Sequence, residues 1–187
     1  MDLNLKDCSC DLHLLYCIKK KYLKASVKLK AIFNCNIERA FKAPILGDAT
    51  KFLNGYLFQP PIIGFDDVEN WGNINGKRVP IIKGNIIVKS HRIFTDKITE
   101  RNENKNWKWE LSNFTSIYLF FAYKAVGEWE VNEILRDKIF VVYKYSYFSK
   151  NILCHPINWL FVKIQLKGMM RKAIKGIKKQ AELNKAF

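Results

Sequence analysis

The chain lacks any long apolar run. Its longest uncharged stretch of apolar residues is Ile117–Tyr123 (Ile-Tyr-Leu-Phe-Phe-Ala-Tyr), far short of the roughly 20 residues a membrane-spanning helix needs. A transmembrane segment is therefore not expected. The opening residues, Met1–Asp7, have neither the basic nor the apolar region of a signal peptide, and the cytoplasm is the expected location. Arginine is scarce: six of 32 basic residues, the other 26 being lysine. Proteins that read nucleic acid rely on the planar, bidentate guanidinium, so the net charge of +15 is read mainly as a solvated surface. Nucleic acid is not an expected partner. Histidine is also scarce, at three, and no P-loop, dinucleotide-binding glycine pattern, His-Glu-x-x-His or Gly-x-Ser-x-Gly occurs.

Five cysteines are present, Cys8, Cys10, Cys17, Cys35 and Cys154, and without a secretory signal they are expected as free thiols. Cys8 and Cys10, with Cys17 and His13 nearby, offer soft ligands, but structural zinc sites space their cysteines by about two to four residues. Asp66, Asp67 and Glu69 form an acidic cluster that reads as a solvated turn. No metal site and no cofactor is expected.

What the chain does have is material for a core. It is 187 residues long, 22.0 kDa, with 49% hydrophobic and 14% aromatic residues, which suits one domain, residues 25–187, behind an N-terminal appendage, residues 1–24. Period-two alternation begins at Val27, Leu29, Ala31 and Phe33, the signature of a half-buried strand. Asn36 is placed to cap a short helix over 37–42 ended by Pro44. Asp48 is placed to cap a second at 49–53 stopped by Gly55. An extended segment over 62–65 precedes the acidic turn. Strands are then expected at 77–83, 86–94, 107–111, 123–131 and 139–148, with a polar loop over 100–106. The short links between strands call for an antiparallel sheet. Tyr123, Ala125, Gly127, Trp129 and Val131 share one strand face, as do Val141, Tyr143, Tyr145 and Tyr147.

The last segment changes to helical period. Trp159, Val162, Leu166, Met169, Met170, Ala173, Ile177 and Ala181 recur at three- and four-residue steps, with Lys163, Lys167, Arg171, Lys175 and Lys178 opposite. One helix over 156–183, with its apolar stripe on the sheet, is the expectation.

This order resembles the helix-grip, or START-like (SRPBCC), superfamily, and within it the polyketide cyclase/dehydrase-like branch. Phe33 to Phe41 (Phe-Asn-Cys-Asn-Ile-Glu-Arg-Ala-Phe) is similar to that family's first strand exit, with Cys35 and Asn36 in place of its usual Ala-Pro. Trp71-Gly72 followed by Gly76, Arg78 and Val79 is similar to its entry into the third strand. Gly127, Trp129 and Val131 resemble the strand before the last hairpin, and Ala181-Glu182 resembles its closing pair. The resemblance spans about residues 25–185. It implies an α+β fold, a curved antiparallel sheet with two short helices after the first strand and a long C-terminal helix over the concave face. It also implies an internal cavity for a hydrophobic or amphipathic small molecule, used by a minority of members for cyclase or dehydratase chemistry.

The expected ligand-contacting residues are Arg78, His91, Trp109, Gly127, Trp129, Tyr143 and Tyr145. The aromatics are either pocket wall or core packing. Gly127 leaves room beside Trp129. Arg78 is either an exposed strand residue or a buried anchor that needs an anionic ligand group or a carboxylate partner. His91 lies mid-strand with Lys89, facing either the cavity or solvent. The functional expectation is binding of a hydrophobic or amphipathic molecule. Two alternatives stand beside it: a cyclase/dehydratase-like enzyme using the same cavity, and an interaction protein that docks the lysine-rich helix on an acidic surface or anionic lipid. No catalytic residue and no oligomeric state follows from the sequence.

Overall fold

The computed structural model describes residues 23–84, 89–115 and 119–183. The expected appendage therefore falls almost wholly outside the described residues, and with it Cys8, Cys10, Cys17 and His13.

The first strand, β1 (Lys24–Phe33), buries Ala25, Val27 and Phe33 and exposes Lys28 and Lys30. Helix α1 (Ile37–Leu46) follows, and Asn36 Oδ1 accepts from Arg39 N at 2.9 Å as the expected N-cap. The helix does not stop before Pro44, as the sequence suggested, but runs through it. Proline lacks the N–H that would bond to Ala40 O. Trp129 Nε1 supplies that bond instead, at 3.1 Å. Trp107 Nε1 donates to Phe41 O at 2.8 Å and Trp71 Nε1 to Ile45 O at 2.9 Å. Three indoles thus bond to three carbonyls of this helix, two from strands and one from the turn after β2. Asp48 then caps α2 (Ala49–Phe52), its carboxylate accepting from Thr50 N at 3.1 Å, and Gly55 turns the chain at φ +82°.

Seven further strands complete one antiparallel sheet: β2 (Ile62–Glu69), β3 (Lys77–Ile82), β4 (His91–Arg92), β5 (Thr95–Asn102), β6 (Asn106–Ser112), β7 (Ala122–Leu135) and β8 (Lys138–Ser149). The order is β1-β8-β7-β6-β5-β3-β2, with β4 beside β3. Three local expectations are corrected. Asp66, Asp67 and Glu69 belong to β2 rather than a turn; a register shift there lets Asp67 adopt φ 47°. Of the long strand expected at 86–94, residues 86–88 lie outside the described residues; within 89–94 only the two-residue β4 pairs, and pairing resumes in β5. The polar stretch 100–106 is mostly hairpin, turning at Asn104 with φ 55°. β5 has no apolar alternation to mark it in the sequence: it is polar nearly throughout, and only Asp96 and Ile98 are buried. Tyr123 does not join the inner face of β7. A bulge between Ala122 and Lys124 turns it outward, 39% exposed.

The C-terminal segment is helical over its whole length but not uniform. α3 (His155–Phe161) passes through a π turn (Val162–Leu166) into α4 (Lys167–Glu182). The inward residues are Asn158, Val162, Leu166 and Met170, all fully buried. Their successive four-residue steps exceed the 3.6-residue period, and the wider π turn absorbs the excess. Trp159, expected on the buried stripe, is 50% exposed. Asn158 takes the inner place, donating to Tyr147 O at 3.1 Å and Ser149 Oγ at 2.7 Å. Arg39 closes the far end, its Nε donating to Ala181 O at 2.7 Å; a cation suits the negative end of the helix dipole. Glu182 Oε1 accepts from Asn34 N at 2.7 Å, tying the same end to the exit of β1.

Candidate functional site

The sheet register assembles the aromatic cluster. Trp109 pairs with Gly127, Gly127 with Tyr145, and Tyr145 with Val27, one row across four strands. Because residue 127 has no side chain, the Trp109 indole lies over it, and a Cβ there would collide with the ring. Lying across the gap, Trp109 Nε1 reaches Tyr145 Oη at 2.7 Å. The neighbouring row is Trp107, Trp129, Tyr143 and Leu29. Trp129 and Tyr143 meet edge to face, ring centroids 5.3 Å apart. Gly127 is therefore the seat of an indole rather than an opening, which corrects the expectation of free space there. Trp129 is fully buried and bonded to α1; it is core packing.

Arg78 is buried, not exposed, and its carboxylate partner is Asp96, opposite it across β3 and β5. Arg78 Nε donates to Asp96 Oδ2 at 3.2 Å. The guanidinium carbon sits 3.7 Å from the Trp71 ring centroid and 4.1 Å from that of Phe65. Burial pushes the Asp96 carboxyl up to about 6, against the lowering effect of Arg78. Burial likewise lowers Arg78, against the raising effect of Asp96. Asp96 Oδ1 is buried and has no hydrogen-bond partner among the described residues. Burial also holds the phenols of Tyr143, Tyr145 and Tyr147 well above the ordinary tyrosine range. They stay protonated and offer hydroxyls, not phenolates.

These groups line a small interior cavity. Arg78, Asp96, Trp109, Tyr143, Tyr145 and Tyr147 supply its polar and aromatic wall, Met169 and Ile177 its helical roof, and the free volume is about 60 Å³. That is room for about two waters. The aromatic side chains largely fill the space under the helix. The larger opening lies beside it, an apolar cleft of about 490 Å³ between α3 with its π turn, the loop at Phe58 and the segment at Phe120. Gln59 and Leu119 line both spaces, so the cleft adjoins the interior. Among its lining residues the polar side chains are Gln59 and Gln165. Gln165 donates to Tyr56 O, while its Oε1 is buried without a partner among the described residues.

Of the expected residues, the structure brings Arg78, Trp109, Tyr143 and Tyr145 to the cavity, with Gly127 beneath Trp109 and Trp129 behind Tyr143. His91 lines neither space; its Nδ1 is 3.0 Å from Lys89 O at the edge of the sheet. The acidic cluster is used locally, Arg92 meeting Asp66 at 3.1 Å and Asp67 at 2.8 Å. Among the described residues no group of three metal-ligating side chains converges. Sequence reasoning missed Asp96 and the cleft. The cleft did leave a signal: Ile157, Trp159, Leu160, Phe161 and Ile164 make α3 and its π turn apolar on more than the inward side, and a helix apolar all round has more than one face to cover.

No protein-family model matches the chain, and no curated protein matches it either. Solved structures do. Ara h 8.0201 aligns with TM-score 0.64 at 14% identity, over 86% of this chain and 99% of that one. The di-domain ARO/CYC StfQ from the steffimycin biosynthetic pathway aligns with TM-score 0.61 at 11% identity, over 96% of this chain and 62% of that one. A truncated norcoclaurine synthase from Thalictrum flavum aligns with TM-score 0.60 at 11% identity, over 87% and 96%. Identities this low speak for architecture and not for activity. With its curved antiparallel sheet gripping a long C-terminal helix, the chain has the helix-grip fold that these structures share.

Proposed function

We propose that the protein binds an amphipathic small molecule, with its apolar body in the cleft and its polar end toward the interior. The cleft itself carries this reading: about 490 Å³ of almost wholly apolar space, open to the outside and adjoining a buried polar cluster. Pockets of this size suit one ligand of drug or lipid size. Gln165 Oε1 and Asp96 Oδ1 are buried acceptors without partners among the described residues. A ligand hydroxyl or amide N–H satisfies such an atom and offsets the cost of its burial. Trp109, Tyr143 and Tyr145 form the inner wall, and the Arg78–Asp96 pair its charged but balanced end. The test is mass spectrometry of small molecules extracted from the purified protein, followed by titration of a neutral apolar dye such as N-phenyl-1-naphthylamine. Saturable dye binding, competed by the extracted molecule, supports the reading. No extracted molecule and no saturable binding refutes it.

Asp96 favours a second reading, a cyclase- or dehydratase-like reaction in the same place. A buried carboxyl held at about 6 is near the pH at which a general acid or base works best, and three protonated tyrosines stand by it. Incubating the protein with the extracted molecule separates the readings. A bound molecule recovered with unchanged mass and unchanged chromatographic retention supports binding alone, and one that wild type converts, by loss of water or to an isomer of the same mass, but Asp96→Asn does not supports the enzyme.

A further inference from the structure

The rim around the cleft is apolar well beyond what the cleft needs. Ile152 is 73% exposed and Leu153 82% exposed, in the turn before α3. Leu153, Ile157, Leu160 and Ile164 follow steps of four, three and four, which places them along one side of the helix; the last three are about half exposed. Across the cleft stand Phe58, 74% exposed, and Phe120, 50% exposed. Trp159 is exposed beside them, with Lys163 Nζ 6.0 Å from its ring centroid. Apolar side chains presented together in this way mark an interaction surface.

The surrounding charge selects the occupant. No cleft-lining residue is charged. Three lysines flank the rim: Lys163 beside Trp159, Lys150, whose N–H donates to Phe121 O next to Phe120, and Lys172, whose Nζ donates to Gly55 O near the Phe58 loop. A second copy would bring like charges together around the same rim. An anionic bilayer offers both an apolar interior for the leucine and isoleucine side chains and negative headgroups for the lysines. Exposed leucine, tryptophan at the boundary and flanking lysine are the composition of a face that lies in a membrane interface. No helix among the described residues is long and apolar enough to cross a membrane, so the contact is with one leaflet. We propose that the cleft rim docks on anionic bilayers, inserting the turn at Ile152 and Leu153 and placing the mouth of the cleft against the lipid. The docking is independent of whether the cleft holds a ligand.

The experiment is co-sedimentation of the full chain with vesicles of phosphatidylcholine alone and of phosphatidylcholine with phosphatidylglycerol. Wild type is expected on the anionic vesicles, far less on the neutral ones, and with affinity that falls as salt rises. Each large side chain withdrawn from the bilayer is worth about tenfold, so Ile152→Ser with Leu153→Ser lowers affinity roughly a hundredfold. Neither residue lines the cleft and both are exposed, so the melting temperature of this variant stays at the wild-type value. Lys163→Gln costs about fivefold, the worth of one cation near an anionic surface. Equal partitioning of wild type and the double serine variant overturns the proposal, as does equal binding to neutral and anionic vesicles. Self-association in sedimentation velocity that the double variant abolishes, without vesicle binding, assigns the face to a second copy. Vesicle binding that appears only after residues 1–22 are removed assigns it to that segment. Either result overturns docking by the full chain.

Discussion

Replacing Arg78 with methionine removes one side of a buried ion pair and leaves Asp96 without the donor at its Oδ2. The slot itself accepts methionine, because the arginine stem and guanidinium already lie against Trp71 and Phe65. The cost therefore falls on the stranded carboxylate. Breaking a buried pair from one side costs about 3–5 kcal/mol, and for a chain of this size each kcal/mol is worth about 2–4 °C. Arg78→Met is thus expected to lower the melting temperature by roughly 6–20 °C. Arg78→Met combined with Asp96→Leu removes both charges and should recover most of that loss. The carboxyl also has a pH signature. It lies at about 6 in the folded chain against 3.8 ordinarily, so between those values the folded state holds the proton that the unfolded state releases. Its contribution to stability is greatest below pH 4 and declines as pH rises through 6, by about 3 kcal/mol in all. Arg78→Met pushes the carboxyl higher still, because the lowering effect of the guanidinium is gone. The assay is urea unfolding of wild type, Arg78→Met, Asp96→Asn and Arg78→Met with Asp96→Leu at several pH values from 4 to 8. A loss below about 1 kcal/mol for Arg78→Met, or a stability gap between wild type and Asp96→Asn that does not change with pH, would refute a buried, strongly coupled pair.

Gly127→Leu should lower the melting temperature and blue- or red-shift tryptophan emission, because its side chain displaces the Trp109 indole; overpacking of this kind costs about 1–3 kcal/mol, and an unchanged melting temperature would show that the indole moves freely. Trp129→Phe removes the N–H that serves Ala40 O beside Pro44 and is expected to cost about 1–3 kcal/mol in denaturant unfolding, whereas the same change at the exposed Trp159 should cost almost nothing. Arg39→Ala takes the cation from the C-terminal end of α4, and hydrogen exchange should show faster opening of the last helical turn with little change in the sheet. Leu166→Asp places a charge at a fully buried position of the π turn and should prevent folding altogether; a folded, soluble variant would mean that this segment does not pack inward.

Alternation in β1, β6, β7 and β8, the side-chain caps at Asn36 and Asp48 and the helical period after Pro156 are local properties of neighbouring residues. The sequence by itself determined those elements, and through their order the helix-grip architecture. It also determined that Tyr143, Tyr145 and Tyr147 share a face, because a strand alternates strictly. Tertiary structure decided what lies across from what. β5 has too few apolar residues to announce itself, so Asp96 became the partner of Arg78 only through pairing with β3. Whether Gly127 was an opening or a seat depended on where the indole of Trp109, eighteen positions earlier in the chain, came to rest. The fate of Pro44 depended on Trp129, which reaches Ala40 O from β7, 89 positions later in the chain. The cleft borders the π turn, and along that helix Asn158 faces inward while Trp159 faces outward. Local pattern carries the energy of forming a strand or a helix, but a cavity is the space left between elements, and its shape is settled only when they pack.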